Sequence, residues 1–148
     1  MTTAPATITQ AFERYVDTFQ SLDPKAALRS LHVPTLIVDA QGSRVLSTEA
    51  DAEAFLGRVM HDLEARGYAR SAIVDSHVHV LSETLAVVSV SRIRYDRSGR
   101  ELERLGETYT LRQSGGDWKI VVAVVHEATG VLRTADTARP HSAGALAS

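Results

Sequence analysis

The chain contains no cysteine among its 148 residues. Disulfide bonds, thiolate metal sites and a cysteine nucleophile are therefore excluded. Basic side chains are also too few and too dispersed to form a phosphate-binding face, since 16 Lys and Arg stand against 18 Asp and Glu. We expect no nucleic-acid partner.

Long apolar runs are absent as well. Nowhere do about 18 uncharged apolar residues stand together, and the start MTTAPATITQ lacks the charged and apolar stretches of an export signal. We therefore expect a cytoplasmic protein without a membrane partner. A composition of 44% hydrophobic and 23% charged residues suits one globular domain. We assign residues 1–130 to that domain and 131–148 to a mobile tail of low apolar content.

The first half of the chain carries apolar residues at helical spacing. This spacing predicts helices over 7–22 and 25–31, and a third helix that is capped by Thr48 and ends at Gly67. Between the second and third helices, the runs PTLIVD and RVLS predict two short strands.

The second half changes to a period of two residues. It predicts four strands, over 71–81, 85–95, 101–113 and 117–127, joined by short turns into an antiparallel meander. Helices and sheet each have one apolar face to bury, so they must stack as two layers. The predicted fold class is α+β.

The last predicted strand is apolar on both sides, although a two-layer monomer covers only one face of its sheet. Val121, Ala123 and Val125 form the row that we assign to the outer face. We therefore expect a homodimer in which the outer sheet face contacts a second copy of the chain.

The elements resemble those of the nuclear transport factor 2-like superfamily, in particular its SnoaL-like and ketosteroid-isomerase-like branches. The resemblance runs from residue 8 to about 128 and rests on AFERYVDTFQSLDP, PTLIVDAQGS and GGDWKIVV. It implies a cone-shaped, cystatin-like fold in which three N-terminal helices pack on a curved antiparallel meander and enclose a pocket. The superfamily includes isomerases, dehydratases, cyclases, hydrolases and proteins that only bind or assemble, so the fold does not decide the function.

In the isomerase branch a tyrosine and an aspartate face the cavity, and Tyr15 and Asp39 resemble these two residues. Asp39 is either a general base or an acceptor for its own turn, and Tyr15 is either a ligand donor or a core residue. Where that branch has a second acid, the chain has Tyr109, which argues against steroid isomerisation. His32 resembles a position that often points into the cavity, or it closes the second helix.

Alternation in the last hairpin predicts one wall of the pocket. With a four-residue turn, Tyr109 lies opposite Val122, and Glu107 is a diagonal neighbour of His126 on the face that also carries Trp118. Glu107 and His126 are then either an acid–base couple or, as we favour, an ion pair at the rim.

Asp75, His77 and His79 share one face of a predicted strand, a spacing that also occurs in metal sites. The opposite row of that strand is apolar, so these side chains are expected to face solvent or a partner subunit. We predict neither a metal nor a cofactor.

Together these patterns predict a SnoaL-like protein that binds a small apolar or amphipathic molecule. The leading hypothesis is a cofactor-independent isomerase, cyclase, dehydratase or hydrolase that uses general acid–base chemistry in an apolar pocket. The alternative is a non-catalytic ligand-binding or dimeric assembly module. The predicted catalytic residues are Tyr15, Asp39 and His126. The predicted substrate-binding residues are Phe19, His32, Glu107, Tyr109, Trp118 and Val122.

Overall fold

A computed structural model describes residues 4–133 of the chain. Its helices are α1 (Ala4–Gln20), α2 (Pro24–Leu28) and α3 (Glu49–Ala65). Its strands are β1 (Leu31–Asp39), β2 (Gly42–Leu46), β3 (Tyr68–Val80), β4 (Leu85–Asp96), β5 (Glu101–Ser114) and β6 (Asp117–His126). Within that range no helix combines the length and the apolar character needed to cross a membrane.

Local signals in the sequence set the helix ends. Asp23 caps α2 by accepting a hydrogen bond from the Ala26 N–H, and Thr48 forms a reciprocal capping box at the start of α3. Gly67 follows α3 with φ +83°, the left-handed conformation that favours glycine. The second helix ends earlier than predicted, because Leu31 already belongs to β1.

The six strands form one sheet in the order β2-β1-β6-β5-β4-β3. From β3 to β6 consecutive strands pair antiparallel, which confirms the meander. However, β1 pairs with β6 in parallel, so the sheet is mixed and not wholly antiparallel. These two strands are far apart in the chain, and nothing local in either one reveals the pairing.

The inner face of the sheet is the face that packs against α1 and α3, and it carries the core. The α+β prediction is confirmed. Large core side chains with almost no exposed surface come from both layers, and they include Ile8, Leu56, Leu63, Val88, Val90, Tyr109, Leu111 and Ile120.

A β-bulge in β6 determines which side chains reach the inner face. Leu111 pairs with Ile120, but the preceding Thr110 pairs with Val122, so Val121 is an additional residue in β6. An extra residue reverses the alternation for the rest of the strand, since successive side chains point to opposite faces.

The bulge overturns the predicted faces of the last hairpin. Tyr109 pairs with Ala123 instead of Val122, and both Val122 and His126 lie on the outer face. Glu107 lies on the inner face, where it lines a cavity. The prediction that Glu107 and His126 share a face was therefore wrong.

The predicted outer row of β6 is corrected for the same reason. Ala123 and Val125 line the cavity on the inner face. Beyond the bulge, the outer apolar row consists of partly exposed side chains from the neighbouring strands β1 and β6, namely Leu36, Val38, Val122 and Val124.

Residues 127–133, here called the strap, follow β6 and lie against β4 and β5. The strap includes a short 3-10 helix, Ala128–Gly130. It takes in the first three residues of the predicted tail, whereas residues 134–148 of that tail lie outside the described range.

Candidate functional site

A cavity of about 270 Å³ lies between α1, α3 and the inner face of the sheet. Most of its wall is apolar and comes from both helices and from β1, β5 and β6. Its polar side chains are Tyr15, Asp39, Arg94, Glu103, Glu107 and Tyr109.

The structure brings together part of the predicted site. The predicted residues that line this cavity are Tyr15, Phe19, Asp39, Glu107 and Tyr109. Those that lie elsewhere are His32, Trp118, Val122 and His126. The residues suggested by the resemblance therefore meet at one cavity, except for His32, whereas the bulge turns Val122 and His126 away from it.

A buried ion pair lies behind the cavity wall. Arg92 Nε lies 2.6 Å from Glu107 Oε1, and the two residues are only 2% and 8% exposed. The contact is ionic, because neither atom has a hydrogen bond of acceptable geometry. Burial disfavours the charged form of Arg92, but the adjacent Glu107 more than offsets this and raises the pKa of Arg92.

Tyr109 is held by this ion pair. Its hydroxyl oxygen accepts a hydrogen bond from Arg92 Nη2 at 2.8 Å. Burial raises the pKa of Tyr109 well above its ordinary value, and Glu107 raises it further, although Arg92 opposes the shift. The Tyr109 hydroxyl is therefore neutral and already engaged.

Tyr15 is neutral like Tyr109, but its hydroxyl lies in a different environment. Burial is the largest cause of its raised pKa, Glu107 adds to it, and nearby arginines oppose it. The ring packs against Phe19 and Tyr109, with centroid distances of 6.0 and 5.9 Å. Within residues 4–133 its hydroxyl has no hydrogen-bond partner. Tyr15 thus offers a neutral O–H donor at the cavity wall.

Asp39 lies at the mouth of the cavity. It is exposed at the end of β1, and its Oδ1 accepts a hydrogen bond from the Gln41 N–H at 2.8 Å. The turn-stabilising role that the sequence allowed is therefore present. Oδ2 makes no hydrogen bond within the described range, so one carboxylate oxygen stays available at the mouth.

A second charged group forms another part of the wall. Glu103 contacts Arg94 Nη1 at 2.6 Å and Arg66 Nη2 at 2.8 Å, one oxygen to each guanidinium. The guanidinium carbon of Arg94 also lies 5.4 Å from the centroid of the Phe19 ring. Partial burial raises the pKa of Glu103, but the hydrogen bonds and charges of both arginines outweigh it and the pKa is lowered.

Sequence reasoning missed Arg92 and Arg94, although β4 carries a signal for both. They continue the inward-facing row of Ala86, Val88 and Val90 at a period of two. Arginines in the buried row of a strand need acids on a neighbouring strand, and Glu103 and Glu107 on β5 provide them. Once β4 and β5 are paired, the alternation of side chains along the two strands predicts these acidic partners.

On the outer face, His126 takes part in a chain of hydrogen bonds. Its Nε2 lies 2.7 Å from Thr108 Oγ1, which lies 2.8 Å from Ser89 Oγ. Ser89 Oγ in turn accepts from the Leu132 N–H at 2.8 Å, and His126 Nδ1 lies 2.8 Å from Glu127 O. His126 therefore anchors the strap and does not reach the cavity.

The predicted acid and histidine cluster of β3 also meets the strap. Asp75 contacts His77 Nε2 at 2.8 Å and Arg133 Nη1 at 2.6 Å, and His79 Nε2 lies 3.4 Å from Leu132 O. In the part of the chain that the structure describes, no group of three His, Cys, Asp or Glu is placed to hold a metal ion.

The remaining predicted residues lie in three different places. His32 lies in an irregular part of β1, where its carbonyl accepts a hydrogen bond from Thr35 Oγ1 at 2.8 Å. Trp118 lines a groove beside α1 and α2, and Val122 belongs to the outer row. None of these three side chains lines the central cavity.

Comparison with known structures shows the same fold. The chain is similar to an NTF2-like protein of Novosphingobium aromaticivorans, with 18% identity and a TM-score of 0.69 over 85% of this chain and 82% of that one. It is similar to an NTF-2 like protein of unknown function from Shewanella oneidensis, with 13% identity, a TM-score of 0.68 and coverage of 83% and 98%. It is also similar to Aln2 of a Streptomyces species, with 15% identity and a TM-score of 0.69 over 86% of this chain and 94% of that one.

No curated protein matches the chain. A family model described as NTF2-like protein (DUF6841) matches residues 6–128, which is most of the sequence and includes all six strands and nearly all of the three helices. The Novosphingobium protein has a cystatin-like fold, which is the fold that the resemblance implied. The chain therefore belongs to the NTF2-like family DUF6841.

Proposed function

We propose that the central cavity binds a small, mainly apolar molecule that carries a carbonyl or hydroxyl oxygen. The observation that carries this proposal is the Tyr15 hydroxyl, which is neutral, buried and without a hydrogen-bond partner within residues 4–133. A ligand oxygen supplies the missing acceptor. The volume of about 270 Å³ lies just under the range of about 300–1,000 Å³ typical of pockets for drug-sized ligands, which suits a smaller molecule.

Charge compensation in the wall favours a neutral ligand. Glu107 is paired with Arg92, and Glu103 is held between Arg94 and Arg66. A charged ligand would have to compete with one of these short contacts and give up its own hydration. A neutral molecule instead buries apolar surface and makes one hydrogen bond to Tyr15.

The finer part of the proposal is cofactor-independent proton transfer. Asp39 and Tyr15 line the same cavity, one at the mouth and one within it. In this mechanism the free oxygen of Asp39 takes a proton from the carbon next to a ligand carbonyl, and Tyr15 stabilises the negative charge that develops on the oxygen. Such a step underlies isomerisation, cyclisation and dehydration. Ligand binding without chemistry is the alternative.

Binding is tested with indanone, a bicyclic ketone, and indane, the same skeleton without the oxygen. Calorimetric titration should show tighter binding of indanone, and Tyr15→Phe should weaken it by roughly 3- to 10-fold, the equivalent of one hydrogen bond. Indane affinity should not change. Tyr95→Phe is the matched control, because Tyr95 stacks with Arg70 away from the cavity. Equal affinity for both ligands would rule out the role of Tyr15.

Proton transfer is tested with the same ketone in deuterium oxide. Loss of the α-proton signal should be faster with the protein than in buffer, and Asp39→Asn should reduce this acceleration by about 10²- to 10⁴-fold. Glu49→Gln, at the exposed start of α3, is the control for removing an acid. If indanone binds but exchanges no faster than in buffer, the binding proposal stands and the catalytic one falls.

We also propose that the protein is a homodimer through its outer sheet face. Support comes from the outer apolar row, in which Leu36 pairs with Val122 and Val38 with Val124, all of them partly exposed. Sedimentation equilibrium should show a dimer, and Val124→Asp should convert it to monomer. Ala54→Asp, at an exposed position of α3 in the other layer, should not. A monomer at high micromolar concentration would contradict the proposal.

A further inference from the structure

A second concave surface, here called the α1–α2 groove, lies between α1, α2 and the start of β6. Its volume is about 450 Å³, and it shares no residue with the central cavity. The residues that matter for its chemistry are Ala11, Arg14, Arg29, Asp117 and Trp118.

The walls of the groove are set by the fold. Ala11 and Arg14 are three positions apart on α1 and therefore lie on one face of that helix. On the other side, the Ile120 N–H donates a hydrogen bond to Ser30 O at 2.8 Å and ties the exit of α2 to β6. The groove is therefore bounded by tied elements and does not depend on the position of a loose loop.

Trp118 lines this groove and carries an unused, buried hydrogen-bond donor. The residue is 6% exposed, yet its indole Nε1 has no hydrogen-bond partner in the described part of the chain. Buried polar groups in native proteins almost always have a partner, and each exception calls for an explanation such as a bound molecule. Indole is a donor only, so the missing partner must be an acceptor.

The charges around the groove are positive. Arg14 and Arg29 are exposed and form no ion pair with any residue between 4 and 133. Lys119 also lines the groove, but alternation along β6 turns its side chain to the face opposite Trp118, where it is next to Arg112. Among the described lining residues, Asp117 is the only acid.

We propose that the α1–α2 groove binds a small organic carboxylate. One carboxylate oxygen accepts the hydrogen bond from the indole N–H of Trp118, and the guanidinium groups of Arg14 and Arg29 neutralise its charge. The apolar part of the ligand lies against the indole ring and Ala11. This site selects an anion, in contrast to the neutral ligand of the central cavity.

Trp118 is the only tryptophan of the chain, so the test uses its own signal. A proton–nitrogen correlation spectrum contains a single indole cross-peak, which reports directly on this N–H. Titration with benzoate should move the cross-peak downfield in a saturable way, because the N–H gains a charged acceptor. Benzyl alcohol, which has the same ring without the charge, should leave it in place, and inorganic phosphate should bind more weakly than benzoate.

Variants locate the ligand. Arg14→Gln and Arg29→Gln should each weaken benzoate binding about 2- to 5-fold, the range of an exposed ion pair. Arg58→Gln, on the exposed side of α3, and Tyr15→Phe, in the central cavity, should leave it unchanged. Dispersed spectra of every variant show that the fold is intact.

Four results would overturn the proposal. The first is an indole cross-peak that does not move with benzoate, and the second is an equal shift with benzyl alcohol. The third is unchanged benzoate affinity in both arginine variants, since the anion would then lie elsewhere. Equal binding of phosphate would likewise reject an organic carboxylate, because the apolar part of the ligand would contribute nothing.

Discussion

Glu107 of β5 and His126 of β6 are near neighbours in the strand pairing and lie on opposite faces of the sheet. On the inner face, Glu107 forms a buried ion pair beside an apolar cavity. On the outer face, His126 joins neutral hydroxyl groups that hold the strap. The same two strands thus contribute to a buried ion pair on one face of the sheet and to a chain of side-chain hydrogen bonds on the other.

The two faces should differ in their sensitivity to mutation. A buried charge that loses its partner retains its full desolvation cost, whereas a neutral hydroxyl loses one net hydrogen bond. Stability measurements on each face can therefore sharpen or break the comparison.

The largest effect is expected for Arg92→Met, which leaves Glu107 buried without its counter-ion. The free energy of unfolding should fall by about 3–5 kcal/mol in urea denaturation. The double variant Arg92→Met with Glu107→Leu should recover much of this loss, because no unpaired charge remains. A double variant as unstable as the single one would show that packing, not charge, is responsible.

Gly106→Ala tests how closely the strap approaches the outer face. A Cβ at this position would meet the His126 ring and the Glu127 carbonyl oxygen at 2.5 Å, and a backbone atom cannot swing away. The free energy of unfolding should fall by about 1–3 kcal/mol. Gly57→Ala is the contrasting control, since its Cβ would meet only Pro24 at 3.8 Å, and it should stabilise α3 by about 0.5–1 kcal/mol.

Thr108→Val breaks the outer hydrogen-bond chain and keeps the shape of the side chain. It should lower the free energy of unfolding by about 1 kcal/mol, less than the loss of Arg92 on the inner face. Thr110→Val, two residues along the same face of β5, is the matched control, because no hydrogen bond holds its hydroxyl within the described residues. Equal effects at both positions would mean that the chain adds no stability.

The smallest effect concerns acid pH and Glu103. Its pKa is lowered in the folded protein from an ordinary value of about 4.5. The ionised form is thus stabilised by folding, so this stability is present above pH 4.5 and is lost as the pH falls through the folded pKa. Glu103→Gln should make the free energy of unfolding fall less steeply as the pH is lowered, as measured in denaturation curves at a series of pH values. Glu83→Gln, on the exposed β3–β4 turn, controls for the loss of one charge.

Much of the fold was predictable because its signals are local. Thr48 at the start of α3, Gly67 at its end and the alternation of β4 each act over a few residues. The resemblance added Tyr15 and Asp39, which do line one cavity. The bulge at Val121 carries no comparable signal in a run of similar apolar residues, and it changed every later side-chain assignment in β6.

By itself, the sequence determined the helices, the strands, the turn residues and the α+β class, because short-range periodicity and capping act within each segment. Tertiary structure decided the parallel pairing of β1 with β6 and the faces of His126 and Val125. It also decided that Arg92 meets Glu107 behind the cavity while the Tyr15 hydroxyl stays free within the described residues. These outcomes depend on register between strands, which is selected by packing and charge pairing across the whole sheet.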